Sequence, residues 1–271
     1  MRFMGLAGQA AIDGLERNLW NMWSVFGRGD GCSLVDTPEL LRFETPIPHV
    51  PYNSVMRFQV NARVDETIDE VLDAYDSRAV PLMWVVHPNA APSSLGARLE
   101  ARGLVEGEVC AGMVAPLSRV PAPEPFPQGV TLDRLGPATR HEFVELVAWR
   151  YSVPSDEIAP LLSILDVHGF GRNDCPTTAW VARLHGRVVS KAIVHLAEGV
   201  AGLYGVATRA EARGLGIARN LTMLAFDHAR RLGYTVGVLH STPMAVNLYA
   251  SLGFSQVADF RLYSTPGALH L

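Results

Sequence analysis

The chain has 271 residues, and at roughly 100–200 residues per domain this favours two domains, each with its own buried core. Its 23 Lys and Arg against 27 Asp and Glu leave a net charge of −4, so bulk electrostatics draws it neither to nucleic acid nor to an anionic membrane. Cys32, Cys110 and Cys175 are widely spaced and odd in number, which fits reduced thiols with no zinc site, and no uncharged run approaches the roughly 18 residues of a membrane span. A soluble, cytoplasmic protein without a metal is expected.

Between Ala10 and Phe26, the residues Ile12, Leu15, Leu19, Met22, Trp23 and Phe26 recur at helical spacing, and Gly27, Gly29 and Gly31 end the helix. Trp20 and Trp23 read as core rather than as a ligand pocket. After a poorly patterned stretch with several prolines, Met56, Phe58 and Val60 alternate with Arg57 and Gln59 as a half-buried strand. Asp65 is placed to cap a helix carrying Ile68, Val71, Leu72 and Tyr75. Leu82 to Val86 follows as a buried strand, then Ser93 or Ser94 caps a helix with Leu95 and Leu99, which Gly103 ends. The lone His87 at a strand end reads as a surface or hydrogen-bonded histidine, not a catalytic one.

Pro116, Pro121, Pro123, Pro125 and Pro127 exclude helix and inner strand, so they mark a semi-rigid boundary: residues 1–118, a linker at 119–129, and residues 130–271. Thr139 and Glu142 have the spacing of a capping box ahead of Phe143, Leu146 and Val147, and a second helix holds Ile158, Leu161, Leu162 and Leu165. Three antiparallel strands follow, Ala179 to Leu184, Val188 to Ala197 and Ala201 to Thr208, the first two joined by a short turn at His185-Gly186. A helix from Ile217 to Leu232 buries Ile217, Leu221, Leu224 and Ala225, and Val236 to His240 is the next strand.

Between the strand ending at Thr208 and the helix starting at Ile217 lies Arg213-Gly214-Leu215-Gly216. Its glycines let the backbone turn sharply and leave the first helix amides bare, at the positive end of the helix dipole, which suits a pyrophosphate. The order of elements in the first half echoes the second, with Trp84 to His87 in the place of the central strand. The residues that then follow, Asn89-Ala-Ala-Pro-Ser-Ser, have no glycine and one donor fewer, so no cofactor is expected there.

At Arg213, Gly216 and Ala218 the sequence resembles the signature of the GCN5-related N-acetyltransferase (GNAT) family: Gln or Arg, two residues, Gly, one residue, Gly or Ala. The run His240 to Phe254 resembles that family's second landmark, with Ala245, Leu248, Tyr249, Gly253 and Phe254 in register and Thr242 where the family has Asn. The resemblance covers roughly residues 128–265. It implies an α/β (α+β) fold of two GNAT-like domains, each a mixed, mostly antiparallel twisted sheet flanked by helices. The first is degenerate; the second has a strand, Val236 to His240, splayed from its neighbour to hold acyl-CoA.

The resemblance places the pyrophosphate of acetyl-CoA, or another acyl-CoA, on the amides of Arg213, Gly214, Leu215, Gly216, Ile217, Ala218 and Arg219. It sets the pantetheine arm against Val206, Ala207 and Thr208, with Thr242 nearby. The implied reaction moves an acyl group to a primary amine of a small molecule or peptide, in a monomer or homodimer. An amide near Val206 or Ala207 would stabilise the oxyanion, and Tyr249 stands where the family keeps the acid that protonates the leaving thiolate. Either Tyr204 or His240 is the candidate base. The segment Trp149 to Glu157 would wall the acceptor side, where Glu157 serves either a helix dipole or a cationic acceptor. Retention of Tyr249 favours an enzyme over a CoA-binding module without catalysis. The first half is expected to bind no CoA and to close one side of the acceptor site, so that a shortened chain beginning near Pro125 could still hold CoA yet should lose acceptor turnover and expose apolar surface.

Overall fold

The computed structural model describes residues 8–154, 158–170, 172 and 174–268. In chain order its elements are α1 (Gln9–Ser24), β1 (Ser33–Asp36), β2 (Leu40–Glu44), β3 (Ser54–Phe58), α2 (Val64–Asp76), β4 (Met83–Val86), α3 (Leu95–Glu100), β5 (Val105–Pro116), β6 (Val130–Arg134), α4 (Arg140–Tyr151), α5 (Ile158–His168), β7 (Thr177–Leu184), β8 (Arg187–Ala197), β9 (Val200–Thr208), α6 (Ile217–Arg231), β10 (Val236–Ser241), α7 (Val246–Ala250) and β11 (Ser255–Ser264). All eleven strands join one sheet in the order β1-β2-β3-β4-β11-β5-β10-β9-β8-β7-β6. Neighbours are antiparallel except β3 with β4 and β9 with β10. Each parallel pair is linked by a helix, α2 or α6, because parallel strands need a crossover. The fold is thus the mixed, mostly antiparallel sheet flanked by helices that the family resemblance implied.

The successions β3-α2-β4-α3-β5 and β9-α6-β10-α7-β11 are alike, but their last strands change places. Strand β5 lies between β11 and β10, and β11 lies between β4 and β5. Gly112 and Ala111 of β5 pair with His240 and Ser241 of β10, and Arg261 to Ser264 of β11 pair with Met83 to Val86 of β4. The sheet therefore runs unbroken through both halves. In a chain beginning near Pro125, strands β10 and β11 would therefore both lose a hydrogen-bonded neighbour, β5. The proline-rich linker is fastened to α6, where Asn220 accepts from the amide of Glu124 (2.8 Å) and donates to its carbonyl.

Several local expectations are corrected. Strands β1 and β2 arise in the stretch that showed no clear pattern. Helix α1 stops at Ser24 and continues as a tighter turn over Val25–Arg28. Its buried face includes Glu16 and Asn18 as well as Leu15, Leu19 and Met22. Asp65 does not cap α2; Arg63 takes that position, and Asp65 pairs with Arg98 and Arg102. Ser94 precedes α3 without a side-chain cap. Thr139 precedes α4, but its hydroxyl accepts from the amide of Gly136 (3.0 Å) while Glu142 pairs with Arg183, so no capping box forms. Val147 and Leu224 are half-buried.

The topology also moves the first half's counterpart of the glycine loop. Strand β3, not β4, is the equivalent of β9, since each precedes the helical crossover and pairs in parallel with the next strand. The loop to compare is therefore residues 59–63, Gln-Val-Asn-Ala-Arg, not 89–94. Arg63 has φ 51° at the start of α2, as Gly216 has φ 74° at the start of α6, but Arg63 places a long side chain where Gly216 has none.

Candidate functional site

Strands β9 and β10 pair only through Ala201, Gly202 and Leu203 against Gly237, Val238 and Leu239. Beyond that point Tyr204 to Thr208 separates from His240 and Ser241. The cause lies in β9, whose register with β8 shifts between Lys191 and Ile193. Gly205 sits in this bulge with φ 55°, and a Cβ there would stand 2.8 Å from the Lys191 Nζ. Glycine is thus needed for both backbone conformation and space. Lys191 is the only lysine in the chain. It is 1% exposed, and its Nζ donates to the Gly205 carbonyl (2.5 Å) and lies 5.5 Å from the centre of the Phe143 ring. Burial, aided by the nearby Arg150 charge, lowers its pKa to about 7.

The gap opens into a cavity of about 550 Å³. Val206, Ala207, Thr208, Arg213, Gly214 and Ala218 line one side, and His240, Thr242, Leu248 and Tyr249 another. At the loop, the Asn220 amide donates to Gly216 O (3.0 Å) as the first full turn of α6. The amides of Ile217, Ala218 and Arg219 therefore precede any helical acceptor. Nothing lies within 4 Å of where a Cβ on Gly214 or Gly216 would project. Arg213 Nε donates to Thr208 O (3.2 Å), which holds the loop against the end of β9. This cradle of amides, open space and a guanidinium fits a pyrophosphate. Leu215, Gly216, Ile217 and Arg219 do not line the cavity. Leu215 is exposed, Ile217 packs beneath the loop, and Arg219 bonds Ser251 (2.9 Å), so these residues can offer only backbone.

The three candidate catalytic side chains all line the cavity, though in unlike states. Burial pushes the Tyr249 hydroxyl well above its ordinary pKa, so it keeps its proton at neutral pH. Tyr204 is shifted upward for the same reason, and its hydroxyl donates to Asn18 Oδ1 (2.7 Å). Asn18 in turn donates to the carbonyls of His195, Ala197 and Val200, tying α1 to the β8–β9 hairpin. Burial lowers the His240 pKa to about 3. Its ring packs edge-on to Phe260 at 4.3 Å, and both of its nitrogens lack a protein hydrogen-bond partner.

The remaining wall comes largely from elements outside the glycine-loop half: Leu19 and Trp23 of α1, Met56, Met83 and Val85 of β3 and β4, and Cys110 of β5. Trp23 is packed against core and also faces the cavity, which corrects its reading as core alone. Trp20 stays structural, donating to Met56 O (2.8 Å). His87 is buried and hydrogen-bonded rather than on the surface. Its Nδ1 lies 2.8 Å from Glu16, whose carboxylate also accepts from the amide and side chain of Asn89. Trp149 lines the cavity, whereas Glu157 lies outside the described residues. Sequence reasoning missed Lys191 and Asn18. The one signal for Asn18 was a polar residue inside the apolar stripe of α1; Lys191 stood out only by its rarity.

A family model described as "Acetyltransferase (GNAT) family" matches residues 141–254, the span from α4 through the glycine loop to Phe254. The chain carries a GNAT acetyltransferase domain. A curated relative, a mycothiol acetyltransferase from Thermomonospora curvata, is 28% identical over 193 residues. That match covers 69% of this chain and 64% of the relative. Among solved structures, a GCN5-related N-acetyltransferase from Kribbella flavida superposes with a TM-score of 0.67 at 20% identity, over 94% of this chain and 96% of its own. A tandem GNAT protein from the clavulanic acid biosynthesis pathway gives 0.61 at 12% identity, over 96% of both chains. At these identities the two structures establish a shared fold. No described helix is long and apolar enough to cross a membrane.

Proposed function

We propose that this GNAT chain is an acyl-CoA-dependent N-acyltransferase that moves an acetyl or similar acyl group to a primary amine of a small molecule or peptide. The observation that carries the reading is the parting of β9 from β10 beyond Leu203 and Leu239, with the glycine loop and Tyr249 both on the cavity so formed. The GNAT match and the mycothiol acetyltransferase relative support it. Bound acyl-CoA supplies an acyl carbon already activated as a thioester. The amides of Ile217, Ala218 and Arg219, with Arg213, hold its pyrophosphate. The edge of β9 from Val206 to Thr208, unpaired on the β10 side, offers backbone groups to the pantetheine amides.

Tyr249 retains a proton that it can give to a departing thiolate. His240 presents two unpartnered nitrogens, but a group of pKa about 3 does not store the proton of an alkylammonium. It accepts a hydrogen bond from the amine, and water carries the proton away. The Tyr204 hydroxyl is committed to Asn18, so Tyr204 positions rather than abstracts. The first half binds no cofactor in this reading. Its β3–β4 gap is closed by a bridge between Gln59 and Ala91, and its loop at 59–63 has no glycine.

The test is isothermal calorimetry with acetyl-CoA, followed by measurement of thiol release across a panel of amines. One acetyl-CoA should bind per chain, and thiol release should require an amine. Two equivalents of acetyl-CoA per chain, or binding without amine-dependent turnover of any amine tried, would overturn the corresponding part of the reading.

A further inference from the structure

We infer that Lys191 is a positioning residue for acyl transfer: by holding the Gly205 carbonyl it aims the Val206 amide into the gap between β9 and β10, at the oxygen of the thioester; the inference rests on the acyl-transfer reading above. The register of β8 with β9 passes from Lys191–Ala207 to Ile193–Tyr204, so Gly205 and Val206 together stand opposite Ala192. Such a bulge leaves backbone groups outside the ladder, where they point as no regular strand allows. The Gly205 carbonyl takes its bond from the Lys191 Nζ (2.5 Å), which lies on the α4 face of the sheet, 5.5 Å from the centre of the Phe143 ring. The peptide unit between Gly205 and Val206 is trans, since the only cis bonds among the described residues precede Pro51 and Pro92. In a planar trans unit the carbonyl and the N–H point opposite ways. Fixing the carbonyl on the β8 side therefore turns the Val206 N–H toward the side from which β10 has parted, and Gly205 and Val206 both line the cavity there.

A second side chain of β8 grips β9 just beyond this point, for Ser190 donates to the Ala207 carbonyl (2.9 Å). Val206 is thus held between two carbonyls that β8 fixes through side chains. Gly205 makes the first grip possible, because its φ of 55° suits glycine and a Cβ would stand 2.8 Å from the Lys191 Nζ. Burying an amine is costly even when it is hydrogen-bonded, and packing alone is served as well by methionine or leucine. Every other residue among the chain's 23 Lys and Arg is arginine, so lysine stands only where a compact amine on a slender stem is enclosed. Lys191 does not line the cavity, and in this role it touches neither cofactor nor amine. The tether does not depend on charge, because the neutral amine and the ammonium both offer N–H groups. What Lys191 supplies is direction: a donor aimed at the developing oxyanion before reaction begins, with no reorientation left for the transition state.

The experiment compares the full wild-type chain with Lys191→Met, Gly205→Ala and the double variant. Two quantities are read: kcat and KM with an amine that the wild type acylates, and the infrared carbonyl stretch of bound acetyl-CoA labelled at its carbonyl carbon. Lys191→Met removes the tether, and Gly205→Ala pushes the Nζ off the carbonyl from the other end. Each should lower kcat by about 10–100-fold with KM for acetyl-CoA changed by less than about threefold, as for loss of an interaction made in the transition state. In the wild type the bound carbonyl should absorb below free acetyl-CoA, because a hydrogen bond weakens the C=O bond, and in either variant it should return toward the free value. Both changes act on one tether, so the double variant should lose no more than the worse single one. Undiminished kcat in Lys191→Met, losses that multiply in the double variant, or a carbonyl band that neither change moves overturns this inference and leaves acyl transfer standing. Should Lys191→Met fail to fold, the carbonyl band of Gly205→Ala decides by the same criterion. Failure of the wild-type chain to bind acetyl-CoA, or to release its thiol to any amine, overturns the underlying reading and this inference with it.

Discussion

Replacing Lys191 by methionine should make the protein more stable below neutral pH while making it a poorer catalyst. Burial lowers the Lys191 pKa from 10.5 to about 7, so at acid pH the fold must hold an ammonium that the unfolded chain keeps in water. At ~1.4 kcal/mol for each tenfold in affinity for the proton, that displacement sets a ceiling of about 5 kcal/mol on the destabilisation. Methionine has similar volume and removes the charge, but leaves the Gly205 carbonyl without its donor, which costs about 1–3 kcal/mol.

The net expected gain below pH 7 is therefore about 2–4 kcal/mol. The sign follows from the lowered pKa. The folded state binds fewer protons between about 7 and 10.5, so wild-type stability rises with pH across that window and the advantage of methionine shrinks. It should reverse near pH ~9, where the remaining charge penalty falls to about 2 kcal/mol. Urea unfolding at pH 6, 8 and 10, followed by tryptophan fluorescence, measures the difference. Turnover should drop roughly 10–100-fold, because the tether that fixes the β9 bulge beside Val206 is gone, with acetyl-CoA affinity altered by less than about threefold. A variant less stable than wild type at pH 6, by an amount that does not change with pH, would show that Lys191 does not titrate as its burial requires.

Gly216→Glu should abolish acetyl-CoA binding in calorimetry while leaving a folded protein, since it adds a carboxylate where the loop offers amides to phosphate. Tyr249→Phe should lower turnover by about 10–10⁴-fold with cofactor affinity little changed; a rate within twofold of wild type would assign the proton to water or another group. Asn18→Leu should destabilise the protein by about 3 kcal/mol or more in urea unfolding, because it strips the carbonyls of His195, Ala197 and Val200 and the Tyr204 hydroxyl of their shared partner. Unchanged stability would show that water replaces the amide.

The elements of the second half were legible because their signals are local. Apolar runs and the His185-Gly186 turn mark β7 to β9, the stripe Ile217, Leu221 and Ala225 marks α6, and Arg213-Gly-Leu-Gly sits where a strand must turn into a helix. The glycine cradle follows from backbone sterics within a few residues, and so does the register of Tyr249 with Gly253 and Phe254. Capping was read less well, since Thr139 and Asp65 have the right types and spacings but their side chains find stronger partners in Gly136 and in Arg98 and Arg102. The exchange of β5 with β11 left no local mark, because each strand is satisfied by any neighbour that offers a matching row of amides and carbonyls. That exchange decides that the sheet is continuous, that the first half's loop at 59–63 rather than 89–94 is the counterpart of the glycine loop, and that Trp23, Met56 and Phe260 share one chamber with Tyr204 and His240. Likewise, an amine on β8 becomes a group of pKa about 7 only when α4 and the β9 bulge close over it. Desolvation depends on residues distant in the chain, and only the assembled fold brings them together.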